Sequence, residues 1–184
     1  ILNEKSEVTL TACDADKNEL QVSAGEVFGD MQQQKGTFDV AFAGNTAQLS
    51  GAVFSVSVQS GSSSLNLYAG DISILLADGT KERVEAGEYL SVTNSSDGTS
   101  SCQIQKMQPA SLNEFLISQA QSCASSKDLC FTPEELQKVL DDREAEKQTA
   151  LENALNAEKI PADNKKDMKS DKNEQESEAQ SEAE

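Results

Sequence analysis

The chain has 184 residues, a formal charge of −17 and no histidine. Lack of imidazole excludes Ser-His-Asp and Cys-His catalysis, His-ligated zinc and imidazole proton transfer. Lack of clustered Lys and Arg argues against binding nucleic acid or anionic lipid through a basic patch, and the acidity is read first as an exposed, solvated surface. All eight aromatic residues precede position 132. A hydrophobic core is therefore expected only from roughly the first 130 residues, a usual size for one domain.

Residues 7–107 alternate apolar and polar with period two. The segments "EVTLTA", "ELQVSA", "TFDVAFA", "AVFSVSVQ", "SLNLYA", "ISILLA", "KERVEA", "EYLSVT" and "SCQIQKM" read as nine short strands. Turn signals separate them: "DKN" at 16–18, "SGSS" at 60–63, Asp78-Gly79 and Asp97-Gly98. In "AVFSVSVQ", Ala52, Phe54, Val56 and Val58 share the face that must be buried, and Val53, Ser55, Ser57 and Gln59 share the other.

One corner recurs: "AGE" at 24–26, "AGD" at 69–71 and "AGE" at 86–88. Glycine inside a strand is costly unless it marks a bulge or bend. The expected geometry places a small Ala inward, lets Gly25, Gly70 or Gly87 bend, and turns Glu26, Asp71 or Glu88 to solvent. Leu65, Leu67 and Ala69 before the corner would then face the same core as Ile72, Ile74 and Leu76 after it. The fold class expected is mainly β, a sandwich, barrel or solenoid of short strands over residues 1–108.

From 109 the period lengthens. "SLNE" at 111–114 reads as a capping box with Ser111 as N-cap, opening a short helix that packs Phe115 and Leu116 on the β domain and ends near Cys123. Residues 109–131 comprise that helix and a cysteine loop. "TPEE" at 132–135 opens a second helix, with Thr132 capping and Pro133 at N1, carrying an apolar stripe through Leu136, Val139, Leu140, Leu151 and Leu155 to about residue 156. Residues 157–184 have no aromatics and low hydrophobicity, so they are expected to be disordered and acidic. No stretch of about 18 apolar residues exists, so no membrane contact by this segment itself is expected. The chain opens on "ILNEKSEVTLTA", already close to a strand. An export or anchor segment just upstream is expected.

Four cysteines, Cys13, Cys102, Cys123 and Cys130, fit no CxxC spacing. An even number in a Ser/Asn/Gly-rich β pattern suggests export and disulfides. Of the three connectivities, Cys123–Cys130 with Cys13–Cys102 is favoured. The alternative is four reduced thiols. "DADKNE" at 14–19 has EF-hand-like acidic spacing, but Glu19 and Gly25 stand where Gly and Glu are required, so a hairpin tip is expected there. No cofactor or metal site is expected, and no nucleophile motif appears, which favours a non-enzyme over an acid-pair glycan hydrolase.

The stretch from Gly36 to Val92 resembles the FecR-like domain. The resemblance lies in Leu49-Ser50-Gly51, the aromatic-containing strand Ala52 to Val58, the corner from Leu67 to Ile72, and Ala86-Gly87-Glu88. The family usually has Arg where this chain has Ser50. After the core (36–93), "SCQIQKM", "LNEFLISQAQSC" and "TPEEL" are similar to FecR-domain proteins of Gram-positive, clostridia-like bacteria. The resemblance implies a β-solenoid or jelly-roll-like fold with structural corners at Gly51, Gly70 and Gly87 (Gly25 resting on pattern alone). It implies an extracytoplasmic, cell-surface location behind an N-terminal membrane helix, and a sensing or interaction role toward a protein or envelope component. The second reading is a surface module that holds envelope polysaccharide or protein without signalling.

Overall fold

The computed structural model describes residues 1–13, 18–33, 36–94, 100–123 and 129–158. The hairpin candidate at Asp97-Gly98, most of the one at 16–18 and residues 14–17 of the expected hairpin tip at 14–19 lie outside them; of the tail expected to be disordered (157–184), the first two residues close a helix and the rest lie outside them. The chain falls into two compact units, Ile1–Leu140 and Asp141–Glu184.

The first unit is built from β1 (Glu7–Cys13), β2 (Asn18–Asp30), β3 (Phe38–Phe42), β4 (Asn45–Leu49), β5 (Val53–Gln59), β6 (Ser62–Ala69), β7 (Asp71–Leu75), β8 (Lys81–Glu85), β9 (Glu88–Asn94) and β10 (Ser100–Lys106), then a 3-10 turn (Pro109–Ser111) and α1 (Glu114–Ser122). The helix α2 (Pro133–Glu158) starts in this unit and supplies most of the described part of the second. The strands form one nearly closed, barrel-like sheet in the order β10-β9-β6-β5-β2-β3-β4-β7-β8, with β1 also on β2.

β2 is the hinge of this arrangement. Its first half pairs with β1 and, in parallel, with β3; its second half pairs with β5. The unit thus has a front layer, the second half of β2 with β5, β6, β9 and β10, and a back layer, β1 and the first half of β2 with β3, β4, β7 and β8. All pairings between named strands other than β2–β3 are antiparallel. That pattern is jelly-roll-like and not a parallel solenoid.

The core between the layers contains Val22, Val27, Val40, Phe42, Phe54, Val56, Leu65, Leu67, Ile72, Ile74, Val84 and Leu90, all buried. Inward residues are even-numbered in the first half of β2 (Val22) and odd-numbered in the second (Val27). They change parity again from Ala47 and Leu49 to Phe54 and Val56, and from Leu65 and Leu67 to Ile72 and Ile74. A strand that passes straight from one layer to the other would turn its apolar side outward. Gly25, Gly51 and Gly70 stand at these three passages, with φ of +84°, +63° and +89°. Gly87, at φ +84°, marks a further passage, from β8 to β9.

Ala69 departs from the expectation. The register slips between Val53 and Phe54 where β5 meets β6, and Ala69 then joins a second core on the far side of the front layer. The strand β4, "NTAQL", was not expected. Its inward positions are Asn45, Ala47 and Leu49, and the buried Asn45 spends its amide on the Phe42 and Ala43 carbonyls and on the Ala77 N–H. A polar residue and a small one on the buried side disguise the period.

Candidate binding face on the front layer

The outer face of the front layer divides into a covered end and an open end. At the covered end Phe28, Val53, Tyr68 and Ala69 pack under Met107, Leu112, Leu116, Ile117, Ala120 and Leu136. The Phe28 and Tyr68 rings lie 5.5 Å apart at 40°. The helix α1 is set there by Asn113, whose side-chain oxygen accepts the Leu116 N–H at 2.9 Å. Ser111 is not the N-cap: it closes the 3-10 turn and donates its hydroxyl to the Gln108 carbonyl. Asn113 wins because it is the last extended residue before the helix, the position from which a side chain reaches the N3 amide. At the start of α2 the box forms as expected. Thr132 Oγ1 accepts from the Glu135 N–H, and the Glu135 carboxylate accepts from the Thr132 N–H. The Cys130 N–H donates to the Tyr68 carbonyl at 2.7 Å, which ties Cys130 to β6.

At the open end the register aligns short polar side chains in rows. Glu26 lies opposite Ser57, Ser57 opposite Ser64, and Ser64 opposite Ser91. In the next row Ser55 lies opposite Asn66, and Asn66 opposite Tyr89. Asn66 Nδ2 donates to Ser55 Oγ at 2.9 Å, and that oxygen lies 3.1 Å from the Tyr68 hydroxyl, so a polar chain leads under the helix. Burial pushes the Tyr68 hydroxyl well above the usual phenol range, opposed by the bond to Ser55 and reinforced by the Glu26 charge. Three shallow clefts of about 240, 270 and 210 Å³ follow these rows, and Ser57 lines all three.

Glu26 stands at the boundary between the ends. The "AGE" corner predicted it in solvent, yet it is only 8% exposed. One carboxylate oxygen accepts from Asn113 Nδ2 at 3.0 Å, and the other accepts from Asn113 at 2.9 Å and from Asn3 Nδ2 at 3.0 Å. A buried carboxylate without such donors would be costly. The other two corners differ. Asp71 is exposed and pairs with Arg83. Glu88 accepts from Lys106 at 2.9 Å and from the Glu85 N–H, which hold its carboxyl below the ordinary range. Ala24 is half-buried, Ala86 is exposed and Ala69 is buried in the second core, so no corner sets its alanine in the core between the layers.

The four cysteines are free thiols, so neither favoured bridge forms. They stand on different elements. Cys13 ends β1 at one edge of the back layer. Cys102 on β10 lines a cleft with Asp78 and Glu82, beside β8 at the opposite edge of that layer. Cys123 caps α1 and has Asp30 of β2 beside it. Cys130 is tied by its N–H to the Tyr68 carbonyl of β6, and both cysteines border the same apolar cluster. Burial pushes the Cys130 thiol up to about 11, and burial with the Asp78 and Glu82 charges raises that of Cys102.

Among the described residues no group of three or more His, Cys, Asp or Glu side chains is placed to hold a metal. Asp14 and Asp16 of "DADKNE" lie outside them. The residues that sequence reasoning missed are those that make the face: Asn3 and Asn113 around Glu26, and Ser64, Asn66, Ser91 and Tyr89 beside it. Their signal was present in the polar alternates of "SSSLNLYA" and "EYLSVT", which read as a plain solvated side.

No family model matches the chain, and no curated protein matches it. Two crystal structures of candidate anti-sigma factors from Parabacteroides distasonis ATCC 8503 are similar to it. One matches at 18% identity and a TM-score of 0.49, over 59% of this chain and 51% of that one. The other matches at 17% identity and a TM-score of 0.44, over 59% of this chain and 55% of that one. The chain thus spans about half the length of the solved chains it matches.

Proposed function

We propose that the chain is a non-catalytic interaction module of a membrane-anchored, FecR-type regulator working outside the cytoplasm, and that it meets its protein or envelope partner through the open end of the front layer. The observation that carries this reading is the division of one sheet face. Large apolar side chains at one end hold the helix α1, and that helix walls a set of polar clefts at the other. The clefts rest on interior strands whose ladders are complete on both sides, a scaffold that holds side chains in fixed rows. The resemblance from Gly36 to Val92 supports the regulator assignment.

The test is photo-crosslinking in living cells of the source organism, with a photoreactive residue at Ser64 in the open end or at Ser73 on the outer side of the back layer. The reading predicts a discrete adduct from Ser64 and none from Ser73. Equal adducts, or none from Ser64, would contradict it. Cys13 is exposed and free, so a membrane-impermeant maleimide should label it in intact cells. Labelling only after lysis would overturn the extracytoplasmic placement.

A further inference from the structure

We propose that the ligand class of the open end is a neutral oligosaccharide; this deepens the interaction reading above and rests on it. The first argument is the lining. The clefts are walled by short hydroxyls and amides, with Tyr89 at their border holding its own hydroxyl on Gln105 at 2.7 Å. Ser57 and Ser64 are half-buried, and Ser63, which lines the same trough, has a buried hydroxyl without a hydrogen-bond partner. A sugar presents hydroxyls that both donate and accept, which is what a serine–asparagine surface answers. An aromatic ring beside such groups adds an apolar body with a polar tip.

The second argument is charge. No Lys or Arg lines the three clefts, and the chain carries −17 overall. Phosphate, sulfate and uronate groups would meet repulsion and find no fork of donors. Of the two carboxylates at the wall, Glu26 has both oxygens engaged by amides and Glu4 lines only the smallest of the three clefts, so the trough offers a basic peptide no row of free anions. The third argument is the backbone. β5, β6 and β9 are paired on both sides, so an extended peptide cannot add as a strand to this face. Apolar lining is confined to the helix wall, at Leu112 and Leu116, and to Val92, too little for the row of anchors that an amphipathic helix requires. The shape agrees. The clefts share Ser57, and adjoining pairs share Glu26 and Asn113, or Ser64, or Gln59, which gives a trough across several strands for a chain of sugar units.

Calorimetric titration of the whole chain tests this, with cellohexaose, xylohexaose, maltohexaose and chitohexaose as neutral probes and hexagalacturonate as the anionic control. Binding of at least one neutral hexasaccharide is expected, with none of the galacturonate. Ser64→Trp, which fills the trough, and Tyr89→Ala, which removes the ring, should each weaken that binding by about tenfold or more, equal to about 1.4 kcal/mol. Ser73→Trp, on the back layer, should leave it unchanged. The proposal is overturned if no neutral probe binds, if the galacturonate binds as well, or if both Ser64→Trp and Tyr89→Ala bind as the parent does. A protein adduct from Ser64 in cells, with no sugar bound in the calorimeter, would overturn the sugar and leave the interaction reading standing.

Discussion

The covered and open ends of the front layer share strands yet serve different ends. On β5 and β6 the outward residues run from Val53 and Tyr68 at one end to Ser57, Gln59, Ser62 and Ser64 at the other. The alternation of a strand assigns each residue to a side but does not say what will lie on that side. Here side-chain size decides it. The large apolar groups draw α1 and the start of α2 onto the sheet, since burying each such group is worth about 1.5–3 kcal/mol. The hydroxyls offer no such return and leave the sheet open. Ser55 sits between them, buried but satisfied by Tyr68 and Asn66.

If that division is right, the two ends must respond differently to truncation. Ile117→Ala removes a fully buried side chain from the covered end and should cost about 2–5 kcal/mol. Ser64→Ala in the open end should stay within about 0.5 kcal/mol. Urea unfolding of both chains reads the difference. Similar costs would show that the open end is packing rather than surface.

The glycine corners that put both ends on one face come next. An added Cβ at Gly25 would meet Ser6 Cα at 2.4 Å, at Gly70 it would meet Ala52 Cα at 3.2 Å, and at Gly51 it would meet nothing within 4 Å. All three have positive φ, so each alanine bears about 1–3 kcal/mol of backbone strain. Gly25→Ala should therefore cost most, Gly70→Ala less and Gly51→Ala least. Thermal unfolding of the three chains gives the order, and a reversed order would mean that contact at the corner does not set the cost.

The boundary between the ends can be loosened through Glu26. Glu26→Ala leaves the Asn3 and Asn113 amides without their acceptor and should cost about 1–3 kcal/mol. Amide exchange over residues 114–122 should speed up while β5 and β6 keep their protection. Uniform loss of protection would argue that Glu26 belongs to the core and not to the boundary.

The smallest effect lies at the third corner, in the exposed Glu88–Lys106 pair. The folded Glu88 carboxyl is held below its ordinary range, so its contribution is complete above the unfolded glutamate value and is lost as pH falls through the lowered folded value. Lys106→Ala should shrink that acid limb slightly, and added salt should shrink it in the parent chain. Stability measured against pH in both chains checks the sign. A limb that grew, or reached to lower pH, on adding salt would contradict it.

Much of this was legible in the residues. Period-two alternation found every strand except β4, because the core between the layers is apolar and most outward positions are polar, the covered end at Phe28, Val53 and Tyr68 excepted. β4 was lost to the buried Asn45, whose role depends on the Ala77 amide 32 residues on. The corners were legible as glycines, since positive φ is a local demand. The fate of Glu26 was not, since it depends on Asn113, 87 residues away in sequence. The same holds for the cysteines: their even number says nothing of which elements the fold sets beside each one. The candidate site was the least legible part, because serines facing a helix-walled trough and serines facing bulk water alternate identically.

The central claim is that the open end binds and does not hold the fold together. It is tested most directly by placing a photoreactive residue at Ser91 in a chain that also carries Ser64→Trp, then measuring its adduct in cells and its urea midpoint against a chain with Ser91 replaced alone. The account predicts that the adduct disappears while the midpoint stays in place. An adduct that persists, or a midpoint that falls with it, would contradict the account.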